Sequence, residues 1–316
     1  MSDPRPIGFF DSGVGGLTVL REVVRRLPGE STVYLGDNAR APYGPRTDDE
    51  VRRYSGECLD ELAARDVKAI VVACNTSTAV ALGDLRRRYD LPILGVIRPG
   101  AVAATLTTRE RRVGVIATPA TIRSHAYFTA IKDENPAVEV YEHATPALVP
   151  MVEAGRLSGP GVEDTVRDAL APLLGQRDAT GDFVFPLPPS ARIDTLLLGC
   201  THYPLLRPVI AQVAGPRIAI VDSATATASA LAELLGINGL EAPGTTRGTA
   251  ADPGLAGHER PAERLAAPGH VQLTTGGVDA FRTVARRLFG DDFPEIEEIE
   301  LGGRERAASR VAGAAG

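Results

Sequence analysis

Short apolar runs alternate with longer stretches of helical period along most of this chain, and no other feature constrains its fold as much. Runs at 6–10, 32–35, 68–73, 92–96, 112–117, 138–143, 194–199 and 217–221 read as strands buried on both faces. The intervening segments 16–27, 48–65, 77–89, 99–107, 122–131, 146–154, 161–174, 205–214 and 224–235 read as helices. Repeated strand–helix–strand units require parallel sheets with right-handed crossovers, and such sheets collect ligands at the carboxyl ends of their strands. A strand at 270–274, a helix at 278–289 and a strand near 296–301 complete the pattern. Two stretches interrupt it. Residues 176–189 are rich in Pro, Gly and Asp and read as a surface insert, and 239–269 has too few large apolar residues to offset its ordering entropy, so a flexible insert is expected there. Residues 302–316 read as a disordered tail.

The 316 residues suffice for about two domains. A net charge of −6 lacks the clustered positive charge that nucleic-acid binding needs. No apolar run approaches the roughly 20 residues of a membrane span, and no secretory signal is expected at the start. Three cysteines are too few and too odd for a disulfide framework, which points to a reducing, cytoplasmic setting. The three cysteines and five scattered histidines show no metal-ligand spacing, so no metal is expected.

Two of the cysteines stand in matching contexts. Ile70–Thr76 (IVVACNT) and Leu196–His202 (LLLGCTH) share one pattern: an apolar run, a small residue, a cysteine, then polar residues suited to starting a helix. Either thiol alone could serve packing only, as Cys58 is expected to do within its helix. Together, Cys74 and Cys200 place two thiols at strand ends, where a helix N-terminus can favour the thiolate. A Cys–His hydrolase built on Cys200 and His202 would leave Cys74 without a function. Two thiols on opposite faces of one carbon suit stereoinversion, one taking a proton and the other returning one.

The glycine-rich turn Asp11–Gly16 (DSGVGG) after the first strand offers backbone N–H groups to an anion. It lacks the Gly-Lys-Ser/Thr of a phosphate-binding loop, and Thr18 stands where a dinucleotide fingerprint needs Gly or Ala. Asp37 could nonetheless mimic a ribose-binding acid, which keeps a nicotinamide-dependent oxidoreductase open. A non-catalytic amino-acid-binding protein is the other alternative; it would keep the anion sites but need no pair of thiols.

DSGVGG (11–16), YLGD (34–37), APYG (41–44), ACNTS (73–77), ATPATI (117–122), LVPMVEAG (148–155), GCTHYPLL (199–206), VDS (221–223) and the TTGG and ARRLFG elements within 274–290 occur in order over nearly the whole chain. Together they resemble glutamate racemase, of the aspartate/glutamate racemase family. His202 and the opening glycine turn favour glutamate over aspartate as substrate. The resemblance implies two doubly wound α/β domains related by pseudo-two-fold symmetry, with the active site in the cleft between them. Residues 1–97 plus 208–301 would form the first domain and 98–207 the second. It implies cofactor-independent interconversion of L- and D-glutamate, supplying D-glutamate for bacterial peptidoglycan, by a homodimer without nucleic-acid or membrane partners. By the same resemblance Cys74 and Cys200 are the catalytic acid/bases, Asp11 and His202 assist them respectively, and Glu153 is a further carboxylate near the second thiol. Ser12, Tyr43, Gly44, Asn75, Thr76, Thr118, Thr121 and Thr201 then form the substrate-holding set, with Asp11 and His202. Arg98 stands where many relatives carry an acid.

Overall fold

The computed structural model describes residues 2–174, 176–177, 183–184, 193–243, 269–291 and 293–301. Strands β1 (Ile7–Asp11), β2 (Thr32–Gly36), β3 (Ala69–Val72) and β4 (Ile93–Gly95) alternate with helices α1 (Leu17–Arg26), α2 (Asp48–Ala63) and α3 (Asn75–Arg88). Helix α4 (Ile97–Thr107) leads to β5 (Arg112–Ala117), α5 (Pro119–Arg123), α6 (Ala126–Glu134), β6 (Glu139–Ala144), α7 (Leu148–Glu153) and α8 (Pro160–Leu174). Within the expected insert, β7 (Gln176–Arg177) and β8 (Phe183–Val184) pair antiparallel. The chain continues through β9 (Thr195–Gly199), α9 (Arg207–Ala214), β10 (Ala219–Asp222) and α10 (Ser223–Asn238). It ends in β11 (His270–Thr274), α11 (Val278–Phe289) and β12 (Ile296–Glu298). Residues 244–268 and 302–316, and most of the insert at 176–189, lie outside the described residues.

The strands form two parallel sheets, ordered β12-β11-β2-β1-β3-β4 and β10-β9-β5-β6. Leaving aside β11 and β12, the strands of each sheet, counted in chain order, lie 2-1-3-4. The sequence direction therefore reverses between the first and third strands of each sheet, where a doubly wound fold opens its ligand crevice. Asp11 ends the first strand of one sheet, and Cys74 and Cys200 each follow the third strand of their own sheet. The repeated sequence pattern thus marks equivalent places in two equivalent sheets.

Apolar residues of β1, β2, β3 and β9 are buried throughout, which is why these strands read as continuous apolar runs. One core cluster lies on each face of the larger sheet, centred on Phe9 and Tyr34 on one side and on Phe10, Leu35 and Cys58 on the other. Cys58 is fully buried there, as a packing residue should be. A buried ion pair, Lys68–Glu30, lies away from the strand ends that bear the thiols: Lys68 Nζ also donates to the Asp3 carbonyl (2.8 Å), and Ala242 N donates to Glu30 Oε1 (2.8 Å). Among the described residues, no helix is long and apolar enough to cross a membrane.

Two local expectations need correction. The segment 208–301 does not belong wholly to the first sheet, because β10 hydrogen-bonds to β9 (Ala219↔Thr195 through Asp222↔Leu198). The chain returns to the first sheet only across α10. β10 is a partly exposed edge strand, so its residue pattern does not reveal which sheet it joins. The single helix read at 122–131 is two helices, α5 and α6, broken where His125 adopts the left-handed conformation (φ 52°).

Candidate active site

Cys74 is the N-cap of α3, and its sulfur accepts the Ser77 backbone N–H at 3.4 Å. The Cys74 thiol donates to Ser12 Oγ at 3.4 Å, so the side chain that meets this thiol comes from the glycine-rich turn. Burial pushes the Cys74 thiol above its usual range, and the nearby Asp11 carboxylate pushes the same way; Ser12 and Ser77 oppose both. The thiol is the favoured resting form here.

The second thiol has different neighbours. Cys200 Sγ lies 3.7 Å from His202 Nδ1, and His202 Nε2 lies 2.5 Å from Glu153 Oε1. His202 is buried, which by itself disfavours a charged ring, yet its bonds to Cys200 and Glu153 win and hold it well above the usual histidine range. Glu153 is partly desolvated, which favours its neutral form, but the His202 contact outweighs this and lowers it. At neutral pH the ring is therefore an imidazolium between the Cys200 sulfur and the Glu153 carboxylate, with both ring nitrogens donating.

Asp11 is fully buried behind the glycine turn, accepting from Gly13 N (3.0 Å) and Thr201 Oγ1 (3.3 Å). Burial raises its carboxyl above the usual range against the pull of His202. Its one side-chain bond thus runs to the residue after Cys200, in the other sheet's half, while Ser12 bonds Cys74. The glycine turn and the Cys200 loop approach closely. A Cβ on Gly15 would lie 2.5 Å from Thr201 Oγ1 and 2.6 Å from His202 Nδ1, so only glycine fits without displacing that loop. Thr18 Oγ1 also donates to the Thr201 carbonyl at 3.2 Å.

One pocket collects Ser12, Tyr43, Gly44, Cys74, Asn75, Thr76, Thr118, Glu153, Cys200, Thr201 and His202 from the expected set, together with Ala41, Pro42 and Val149. Thr76 Oγ1 and Thr118 Oγ1 meet at 2.9 Å across the two halves. Asp11 and Thr121 stand behind this lining; Thr121 Oγ1 reaches Thr118 Oγ1 at 3.0 Å. Tyr43 lines the pocket, but its hydroxyl is bound to Asp37. Asp37 is fully buried and also holds Arg40 (2.7 Å) and Thr275 Oγ1 (2.7 Å). Its oxygens are thus committed inside the protein and do not present a ribose-binding acid, and Gly15 of the glycine turn packs against Thr201 and His202. Arg98 is exposed and pairs with Glu134 at 3.3 Å, away from the pocket. Among the described residues no group of three His, Cys, Asp or Glu side chains is arranged to hold a metal ion.

Sequence reasoning missed Tyr127 and Tyr203. Tyr127 OH donates to Asn75 Oδ1 at 2.6 Å, and Tyr203 OH meets Thr145 Oγ1 at 2.7 Å, fixing the segment after His202 to the loop before α7. Both are buried aromatic residues in apolar surroundings, and nothing in the sequence separates them from core residues.

A model of the Asp/Glu/hydantoin racemase family matches residues 7–181, more than half of the chain. The chain belongs to this racemase family. Its relatives include the glutamate racemase of Streptococcus pneumoniae (strain Hungary19A-6), 47% identical over 221 residues that span 70% of this chain and 78% of the relative. Similar solved structures of the racemase family include glutamate racemase isoform RacE1 from Bacillus anthracis (36% identity, TM-score 0.76, covering 94% of this chain and 98% of that one). Another is the glutamate racemase of Francisella tularensis in complex with D-glutamate (30% identity, TM-score 0.76, covering 95% and 99%). Both match the fold described above over nearly the whole of each chain.

Proposed function

We propose that this protein interconverts L- and D-glutamate by a two-base proton transfer in which Cys74 and Cys200 are the acid and base. The observation that carries this reading is the pair of free thiols lining one pocket, one from each sheet's third strand. Glutamate is preferred to aspartate because the relatives at 30–47% identity are glutamate racemases, one of them solved with D-glutamate.

The chemistry follows from the unlike neighbours of the two sulfurs. Burial favours the thiol on Cys74, which makes it the proton donor, and leaves Cys200, 3.7 Å from His202 Nδ1, as the first base. The Cys200 thiolate takes the α-proton as the C–H bond breaks, and its electron pair moves into the substrate carboxylate. The Cys74 thiol then returns a proton to the opposite face of the same carbon. The products are the other enantiomer, a Cys200 thiol and a Cys74 thiolate, with no net oxidation or reduction. The Cys74 thiolate is met by the Ser77 N–H at the α3 N-terminus. The next turnover in the other direction begins from that state. Negative charge developing on the carboxylate is met by preorganised donors, among them Ser12, Asn75, Thr76 and Thr118. The Thr201 hydroxyl donates to Asp11 and fixes the loop that carries Cys200.

Independence from pyridoxal is supported by the lysines. The chain has two, Lys68, fixed by Glu30 and the Asp3 carbonyl, and Lys132, which donates to the Pro136 carbonyl at 3.1 Å. Neither lines the pocket, so no lysine there can form a Schiff base. We further infer that the product supplies D-glutamate for peptidoglycan, in the cytoplasm, and that the working form is a homodimer, which sedimentation at several concentrations would test.

The test is racemisation in heavy water with no added cofactor, followed by circular dichroism and proton NMR. Each enantiomer should gain one solvent deuterium at Cα as its antipode forms. Inversion without wash-in, or activity only with added pyridoxal phosphate or nicotinamide nucleotide, overturns the proposal. Equal turnover of aspartate would move the substrate assignment.

A further inference from the structure

Asn75, the first residue of α3 and the neighbour of Cys74, is 2% exposed and lines the pocket. Its two side-chain ends are treated differently by the protein. Oδ1 accepts the Tyr127 hydroxyl at 2.6 Å, whereas Nδ2 is buried with no hydrogen-bond partner in the protein. A buried donor left unmatched is costly, so an amide would not normally settle this way without reason. The length is ordinary for an O–H···O bond, with the phenol as donor and Nδ2 as the end left without a partner.

Tyr127 is itself held rigidly. It is fully buried on α6, in the half of the molecule opposite to Asn75. A Cβ on Gly199 would stand 2.8 Å from its ring, and one on Gly100 would stand 3.4 Å from the ring and 3.4 Å from the hydroxyl. Both positions are glycine, and the ring occupies the space they leave. The phenol cannot follow the amide if the amide turns.

We propose that Tyr127 is a positioning residue for substrate recognition: it locks the Asn75 carboxamide with its NH2 group turned to the pocket, where it donates to a carboxylate of the bound amino acid. This rests on the reading that Asn75 belongs to the substrate-holding set. Without the Tyr127 hydroxyl the amide can turn over and present its carbonyl oxygen to an anion, which repels the ligand. Tyr127 touches neither substrate nor thiol in this role and acts through Asn75, while Ser223 is a second side-chain hydrogen-bond neighbour of its phenol.

The experiment compares Tyr127→Phe, Asn75→Ala, Asn75→Asp and the double variant Tyr127→Phe/Asn75→Ala in steady-state racemisation of both enantiomers. Tyr127→Phe keeps the ring between Gly100 and Gly199 and should fold. Its KM for glutamate should rise about five- to tenfold with kcat changed less than about threefold, the split expected for lost ground-state binding. Asn75→Ala should raise KM at least tenfold, since a hydrogen bond to a charged group contributes about 1.5–3 kcal/mol, or roughly 10- to 150-fold. The double variant should be no worse than Asn75→Ala. Asn75→Asp preserves the acceptor for Tyr127 but removes the NH2, so it should lose binding at least as strongly as Asn75→Ala. A purely structural Tyr127–Asn75 bond would tolerate it, and an unchanged KM in Asn75→Asp overturns the proposal even if Tyr127→Phe does not fold. If Asn75→Ala leaves KM unchanged, the substrate-holding reading itself fails. If Asn75→Ala raises KM but Tyr127→Phe does not, or if the two effects multiply in the double variant, only the role given to Tyr127 fails.

Discussion

Replacing Gly15 by alanine is the sharpest probe of how the two halves meet. The added Cβ would stand 2.5 Å from Thr201 Oγ1 and 2.6 Å from His202 Nδ1. Non-bonded heavy atoms prefer about 3.5–4.0 Å, so the Cys200 loop or the glycine turn must retreat by roughly 1 Å. The backbone of Gly15 is not left-handed, so the substitution brings no conformational strain of its own and the whole effect is this contact. Overpacking of that kind costs about 1–3 kcal/mol. At about 2 °C per kcal/mol for a chain of this size, thermal unfolding should fall by roughly 2–6 °C. Activity should suffer more, because the displaced loop carries Cys200, His202 and the Thr201–Asp11 bond (3.3 Å). A misplacement of about 1 Å in a catalytic group can cost around a hundredfold. We therefore expect kcat/KM for both enantiomers to fall about a hundredfold in a protein that is still folded. Gly161→Ala is the control: nothing lies within 4 Å of its added Cβ, and it sits in helix α8, so neither stability nor rate should drop. A Gly15→Ala protein with full activity would show that the contact between the turn and the Cys200 loop does not set the site.

Single replacement of Cys74 or Cys200 by serine should cut racemisation by at least about 10²-fold, the scale of one lost acid/base group, while the remaining thiol still exchanges the α-proton of one enantiomer with solvent. Exchange of both enantiomers in either variant, read by NMR, would contradict the opposed placement. His202→Asn removes the ring that bridges Cys200 and Glu153, so kcat/KM should fall by about 10²-fold for both enantiomers; an unchanged rate would refute that pairing. Lys68→Met leaves Glu30 buried and unpaired, which should cost about 3–5 kcal/mol in denaturant unfolding yet leave kcat/KM unchanged at a permissive temperature.

The parts of the site visible in the sequence were those tied to strand ends. β3 and β9 are buried on both faces, so each reads as an unbroken apolar run, and the residue that follows marks the crevice. That made Cys74 and Cys200 legible as a pair, and Asp11 with them, while Ser12 came from the family resemblance. Contacts between residues distant in the chain were not legible. Tyr127 meets Asn75 across 52 positions and Asp37 meets Thr275 across 238, and neither tyrosine nor aspartate signals its partner by local pattern. The family resemblance supplied Glu153, but only the fold shows why it is placed there: α7 brings it against the outer nitrogen of His202. The sheet membership of β10 was hidden because edge strands in either sheet carry the same mixed burial.

The shared 2-1-3-4 strand order gives each thiol the same place in its sheet, but the residues after them differ: Asn75 and Thr76 in one half, Thr201 and His202 in the other. Mirror-image amino acids have equal free energy in water, so a racemase works on a reaction whose equilibrium constant is one. The forward and reverse reactions cross the same barrier from equally stable free substrates, which forces kcat/KM to be equal in both directions. Dissimilar half-sites therefore cannot make this protein favour one hand at equilibrium. What they can do is let one enantiomer bind more tightly and turn over more slowly than the other, by matching factors.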